Sequence, residues 1–247
     1  MKNKLAKLFI LLIIVFGVMI GPMTSSQNQI GIIVEKAKPV EDADGHVYRT
    51  VKIGNQIWMA ENLKTTRYND GQPIPHVTDH SAWGGLRTPA YCYYNNEEAN
   101  LGAYGALYNW YAVNSGKLAP KEWHVPTDAE WTTLVAYLGG EGIAGGKMKE
   151  AGFAYWLAPN AGASNSSAFS ALPGGGRDDE GAFSGLTYFA NFWSSTESSP
   201  SNAWRRHLVY DDRNARRDNF GKMMGFSVRC IKDLSSPESS TSVGIRK

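Results

Sequence analysis

The stretch WHVPTDAEWTTLVAYLGG, residues 123–140, constrains the fold of this chain more than any other. Thr127 and Glu130 have the spacing of a capping box, in which each side chain satisfies a backbone amide at the start of a helix. Four apolar residues then follow at helical spacing: Trp131, Leu134, Val135 and Leu138. A helix with one apolar face has to cover another element, so this stretch predicts a helix packed against a sheet.

The sequence on either side of this helix favours short strands. Residues 47–53 alternate at the strand period, Gly54-Asn55 is typical of a two-residue hairpin turn, and the return strand is predicted at residues 57–63. Further strands are predicted around residues 192–193, 204–210 and 226–231. A short helix is expected at Leu107, Trp110 and Tyr111. Strands and helices in separate runs predict an α+β fold.

The two ends of the chain differ from its centre. Three lysines precede an unbroken apolar run from Leu8 to Ile20, which is too short for a membrane span of about 20 residues. We therefore expect residues 1–26 to be a cleaved signal peptide, with an uncleaved N-terminal anchor as the alternative. Residues 27–40 are predicted to be a linker, 41–233 one domain, and 234–247 a disordered serine-rich tail.

Charge gives no global reason to expect a nucleic-acid or membrane partner. Removal of the three leader lysines lowers the formal charge from +2 to −1. Because the leader directs export, we expect the mature chain to be secreted or held at the cell surface, with the periplasm as a further alternative. We do not expect it to be inserted in a membrane after the leader is removed.

The only two cysteines are Cys92 and Cys230. In an oxidising compartment a bridge between them would close a loop of about 140 residues and stabilise the fold by ~4–5 kcal/mol. Two buried, unpaired thiols are the alternative, and both remain open.

Enzyme motifs are weak in this sequence. Residues 174–176 form a triple glycine without the lysine and hydroxyl residue of a phosphate loop, so a plain loop is predicted there. His76 and His80 lie four residues apart, but nearby prolines favour an irregular loop without a third metal ligand. Asp42 and Asp44 are predicted to form a turn. No cofactor is expected, and calcium at Asp178, Asp179 or Asp211 is the alternative.

Five longer motifs occur in order across residues 44–233: GNQIWMAENL, YGALYNWYAV, WHVPTDAEW, FWSSTE and GFSVRC. Together they resemble the Fibrobacter succinogenes major paralogous domain family. The resemblance implies a C-type-lectin-like fold, related to the domain of the formylglycine-generating enzymes. In such a fold two helices flank small antiparallel sheets, the termini lie close together, and long irregular loops project from one side.

The chain departs from these relatives in ways that bear on activity. The calcium-binding tripeptides of the sugar-binding lectins do not occur in the sequence, and no second cysteine accompanies Cys230 as in the formylglycine-generating enzymes. Many family members carry Cys-Pro-x-Gly-Trp where residues 119–123 read APKEW, so Cys230 has lost the partner that the resemblance implies. Calcium-dependent sugar binding and oxidase activity are therefore not expected.

In this fold the segment before the final strand supplies an exposed ligand-facing surface in many relatives. Here that segment is rich in arginine, amide and aromatic side chains, which dominate recognition surfaces. The candidate ligand-binding residues are Trp204, Arg205, His207, Tyr210, Asp212, Arg213, Asn214, Arg216, Arg217 and Asn219. We expect a non-enzymatic module that binds a glycan or a surface protein. One alternative is a structural subunit or adhesin part of a surface assembly, and a less favoured one is a divergent formylglycine-generating-type enzyme. A further alternative is that the charged hairpin is only a solvated surface and binds no ligand.

Overall fold

The computed structural model describes residues 33–234. In that part of the chain the helices are α1 (His80–Trp83), α2 (Ala99–Tyr104), α3 (Trp110–Val113), α4 (Asp128–Tyr137) and α5 (Glu141–Met148). The strands there are β1 (Val34–Glu41), β2 (Val47–Ile53), β3 (Gln56–Met59), β4 (Tyr91–Cys92), β5 (Leu107–Tyr108), β6 (Trp123–His124), β7 (Gly174–Arg177), β8 (Phe183–Leu186), β9 (Phe189–Glu197), β10 (Asn202–Val209), β11 (Arg216–Gly221) and β12 (Ile231–Lys232). Short helices and several sheets confirm the α+β class.

The first sheet has the strand order β1-β2-β3-β12-β6. The predicted hairpin is confirmed: β2 and β3 pair in antiparallel fashion around Gly54, whose φ of 61° suits glycine. The return strand ends at Met59, four residues before its predicted end. The linker prediction for residues 27–40 was wrong over its second half, because β1 begins at Val34 and pairs with β2 along its length.

The second sheet has the order β11-β10-β9-β7-β8. Its β7 strand contains the triple glycine, so the predicted loop there was wrong. A Cβ on Gly175 would lie 2.5 Å from the Ser184 carbonyl oxygen, and one on Gly176 would lie 2.9 Å from the Phe226 ring. The glycines therefore allow close packing of backbone and ring against β7 rather than phosphate binding.

Helix α4 has the predicted capping box. Thr127 Oγ1 accepts from the Glu130 amide at 3.2 Å, and Glu130 Oε2 accepts from the Thr127 amide at 2.8 Å. The four apolar residues of the predicted face are buried, and Trp131 packs on Trp58 of the first sheet and Phe192 of the second. This helix therefore joins both sheets in one core cluster.

The structure differs from the sequence-based expectations at three places. Leu107 lies in β5 and not in a helix, and only Trp110 and Tyr111 begin a short one. Helix α5, which follows Gly139-Gly140 directly, was not predicted, because its glycines hide the helical period. The final strand is regular only at Ile231–Lys232, and residues before it make isolated bridges.

The predicted signal peptide lies outside the described residues, as do all but the first residue of the predicted tail. Over residues 33–234 we find no helix with the length and apolar character that a membrane crossing requires.

Candidate functional site

Strand β10 has two faces with different environments. Because side chains alternate along a strand, Arg205 and His207 lie on one face, and Trp204 and Arg206 lie on the other. The first face borders an open cleft, and we call it the cleft face. The second lies against α4, and we call it the helix face.

The cleft has a volume of about 300 Å³ and is built by β7, β9, β10, β11 and the segment after β11. Its polar lining includes Asn191, Arg205, His207 and Asp178. Its apolar lining includes three phenylalanines: Phe189, Phe220 and Phe226. A concave site with aromatic walls and a few convergent polar groups is the usual form of a small-ligand site.

Arg205 is held in the cleft wall by aromatic rings. It is 7% exposed, and its guanidinium carbon lies 3.8 Å from the Phe220 ring centroid and 4.9 Å from that of Phe226. Burial lowers the pKa of Arg205 to about 10, an effect that the nearby Asp218 opposes. The side chain therefore remains a cation at neutral pH.

Part of this cation's hydrogen-bonding capacity is unused. Nη1 donates to Asn191 Oδ1 at 2.7 Å. Nε is buried without a hydrogen-bond partner among residues 33–234, and Nη2 lies 3.8 Å from Asp218 Oδ2, too far for a hydrogen bond. Nε has no surface in contact with solvent, so Nη2 is the donor that Arg205 can offer to a ligand in the cleft.

Asn191 fixes the orientation of both neighbours. Its Nδ2 donates to the Gly175 carbonyl oxygen at 3.0 Å, which leaves Oδ1 as the acceptor for Arg205 and for His207 Nδ1 at 2.6 Å. His207 therefore carries its proton on Nδ1, and Nε2 presents a lone pair. Burial, together with the Arg205 and Arg216 guanidiniums, lowers the pKa of His207 to about 3 against the opposing effect of Asp212. The imidazole is neutral at physiological pH.

The helix face is occupied by structural contacts. Arg206 donates from Nη2 to Thr132 Oγ1 at 2.7 Å and lies 3.4 Å from Asp128. Arg217 donates from Nε to both Asp128 oxygens at 2.9 Å and stacks on Trp204. Trp204 and Arg217, which were predicted to bind a ligand together with Arg205, therefore lie on the opposite face from Arg205, where Arg217 secures α4 to the sheet.

The loop between β10 and β11 is docked on α5. Lys149, which is fully buried, donates from Nζ to the Val209 and Asp212 carbonyl oxygens. The Arg213 carbonyl oxygen accepts from Gly146, where a larger residue would not fit. Asp212, although predicted to face a ligand, accepts from its own loop at Asn214 and from Arg216. These contacts fix the loop from within.

The remaining predicted residues lie at the edge of the site. Arg216 and Asn219 are exposed on the edge strand β11, where Asn219 accepts from Asn202 at 3.0 Å. The Tyr210 ring packs on Tyr188, with centroids 5.2 Å apart. Of the ten predicted residues, the structure places Arg205 and His207 in the cleft lining.

Sequence reasoning missed Asn191, Phe189 and Asp178 as cleft residues. A usable signal existed for Asn191, because a lone amide in the apolar strand FANFW is unusual. Strand alternation would also have separated Trp204 from Arg205.

Of the two alternatives left open for Cys92 and Cys230, the structure has the unpaired, buried thiols. Both cysteines are free and buried. They belong to different core clusters, Cys92 packing beside Trp83 and Leu107 and Cys230 beside Tyr48 and Val228. Burial raises the pKa of Cys92 to about 12 and that of Cys230 further still, so neither is an activated thiolate.

Two other polar groupings occur among the described residues. Asp42, Asp44 and His46 have metal-compatible spacing, but Asp42 Oδ1 already accepts from the Asp44 amide at 2.9 Å and the His46 amide at 3.0 Å, as the predicted turn requires. A cleft of about 500 Å³ lies elsewhere, and its Arg229 donates to four oxygens, among them Asn62 Oδ1 and Ser170 O.

The geometry defines an α+β domain whose second sheet presents one open face. A scan against family models matches the Fibrobacter succinogenes major domain over residues 51–232. The chain therefore belongs to the Fibrobacter succinogenes major domain family, which confirms the resemblance. No curated protein matches the chain. No solved structure matches it either.

Proposed function

We propose that this protein is a secreted or surface-displayed, non-enzymatic module that binds a polar ligand in the cleft of the second sheet. The observation that carries the proposal is Arg205, a nearly buried cation whose Nη2 has no hydrogen-bond partner among the described residues and which lines the open cleft. An acceptor on a bound ligand would give Nη2 a hydrogen bond from a charged donor, and such bonds contribute about 1.5–3 kcal/mol. The N-terminal leader pattern supports export.

We further propose that the domain is C-type-lectin-like. Support comes from the sharing of one sheet by the N-terminal strands and β12, and from the irregular segments between its elements. An experimentally determined structure compared with lectin-like domains would test this part directly.

Binding is favoured over assembly by the character of the sheet edge. The edge strand β11 carries Arg216, Arg217 and Asp218, and charged side chains on an edge discourage strand pairing between molecules. A fibre built through this edge would have to bury these charges.

Arrays of glycans and of cell-surface proteins test the proposal. The full chain is expressed, and the purified product is compared with Arg205→Gln and Phe220→Ala, which alter the cleft. Arg217→Gln, on the opposite face of the same sheet, is the matched control. We expect the cleft variants to lose binding and the control to retain it, with thermal melting used to verify that each variant is folded. Unchanged binding by folded cleft variants would refute the cleft as the site.

A further inference from the structure

The cleft presents a donor and an acceptor side by side. Arg205 and His207 are two residues apart on the same strand, and both are hydrogen-bonded to Asn191 Oδ1. The donor is Nη2 of Arg205, because Nε, although unbonded, has no surface that a ligand could reach. The acceptor is Nε2 of His207, which has no hydrogen-bond partner within residues 33–234. A ligand group that meets both must accept one hydrogen bond and donate another.

Full charges on a ligand fit this arrangement poorly. A carboxylate or phosphate would meet Arg205, but it would also face the His207 lone pair and the carboxylates of Asp178 and Asp218. A cation would face the guanidinium. The other arginine in the lining, Arg177, keeps its positive charge, but it already donates through Nε, Nη1 and Nη2 to the carbonyl oxygens of Val77, Thr78, Asp79 and Gly181. Arg216, opposite His207 on β11, is paired with Asp212.

The hydroxyl group has both capacities in one atom, since it donates once and accepts through two lone pairs. The phenylalanine rings beside the polar pair suit the apolar C–H faces of a sugar ring; Phe189 lies against His207, with ring centroids 5.2 Å apart. A peptide could also supply a donor and an acceptor, but main-chain recognition by a sheet runs along its edge. Arg205 and His207 project from the face of a central strand.

Resting on the proposed function, we infer that the cleft takes an uncharged sugar, with one ring hydroxyl bridging Arg205 and His207 and without a metal ion. Nη2 of Arg205 donates to the hydroxyl oxygen, and the hydroxyl donates its proton to His207 Nε2. Asn191, whose Oδ1 accepts from both side chains, orients them as a positioning residue.

Nuclear magnetic resonance of the isotopically labelled protein, expressed from the full chain, tests this assignment. The probes are the methyl glycosides of glucose, galactose and mannose, with glucuronate and galacturonate as matched charged probes, in the presence of EDTA. We expect at least one neutral glycoside to shift the Arg205 Nε–H and His207 imidazole nitrogen signals, and the uronates to leave them unchanged.

Variants at His207 separate hydrogen bonding from packing. His207→Phe keeps an aromatic ring but removes the acceptor, so affinity should fall by about tenfold, equivalent to ~1.4 kcal/mol. His207→Gln keeps an acceptor, and Arg217→Gln alters the helix face, so both should bind within about threefold of the wild type.

The failures are distinguishable. Shifts caused only by the uronates, or a response that disappears with EDTA, would overturn the neutral, metal-free assignment while leaving a ligand-binding cleft. The neutral-sugar assignment would also be overturned, and the ligand-binding cleft retained, if the arrays yield a cleft-dependent ligand but none of the glycosides shifts these signals. If cleft variants do not affect any array ligand, the proposed function itself fails.

Discussion

Arg205 and Arg206 are adjacent in the sequence and almost equally buried, at 7% and 3% exposure, yet they serve opposite faces of one strand. Arg206 is enclosed between β10 and α4, where Thr132 and Asp128 accept its hydrogen bonds. Arg205 lines a cleft, and its Nη2 has no hydrogen-bond partner among the described residues; its Nε is also unbonded but is buried. Nε of Arg206 is also without a partner among the described residues, so an unbonded buried nitrogen does not by itself mark a site. The open cleft beside Arg205, which Arg206 does not line, is what supports the proposed site.

We therefore expect substitutions on the helix face to lower stability and substitutions on the cleft face to affect the proposed binding. The largest expected effect is that of Trp131→Ala, because Trp131 is fully buried and contacts Trp58, Phe169 and Phe192 across both sheets. Chemical denaturation should show a loss of about 3–5 kcal/mol in the free energy of unfolding. Trp131→Phe, which leaves a smaller cavity, should lose less. A loss below about 1 kcal/mol for the alanine variant would contradict the role of α4 in joining the sheets.

A matched pair of aspartates compares the two faces directly. Asp128→Ala removes the carboxylate shared by Arg206 and Arg217 on the helix face and should cost about 2 kcal/mol, since it leaves a buried cation poorly paired. Asp218→Ala on the cleft face removes only a 3.8 Å contact of a 43% exposed side chain, and should cost less than about 1 kcal/mol. Equal losses in urea denaturation would remove the distinction between the faces.

Phe220→Ala tests whether the cleft wall contributes to stability or only to binding. Phe220 is 37% exposed and stacks on Arg205. We expect a loss of about 1 kcal/mol in unfolding free energy, together with loss of binding to any array ligand of the cleft. A variant that melts far below the wild type would instead make Phe220 part of the core.

Two histidines should give pH dependences of opposite sign. The hydrogen bond with Glu130 raises the pKa of His124, burial opposes the rise, and the bond with Asp233 adds to it. The stability from His124 is therefore complete below its unfolded pKa of about 6.5 and is lost as pH rises through the higher folded value. His207, whose folded pKa is about 3, resists protonation, so its contribution is lost as pH falls from about 6.5.

Denaturation curves measured between mildly acidic and mildly basic pH would separate these contributions. His124→Gln should flatten the decline toward high pH, and His207→Gln should flatten the decline toward low pH. If both variants change the same side of the profile, the charge states assigned to one of the two sites are wrong.

Some elements could be predicted because their signals are local. The capping box at Thr127 and Glu130, the four-residue apolar face of α4 and the Gly54 hairpin each lie within a few residues of sequence, and all three are present. Helix α5 escaped prediction because its glycines, which admit the loop carrying Arg213, weaken the helical pattern. Residues 174–177 were not predicted as a strand for the same reason, because three glycines show no apolar alternation. Glycine is needed there because the Phe226 ring packs directly against Gly176.

The sequence by itself determined the α+β class, the apolar face of α4 and, through strand alternation, that Arg205 and His207 share one side of β10. It could not determine which side of that strand would be open. Helix α4 packs on Phe192 and Arg206 and so covers the helix face. Contacts between residues far apart in the chain, such as Trp131 with Trp58, hold the helix there. Periodicity fixes which side chains point together, whereas only tertiary packing decides which face is covered and which remains available to a ligand.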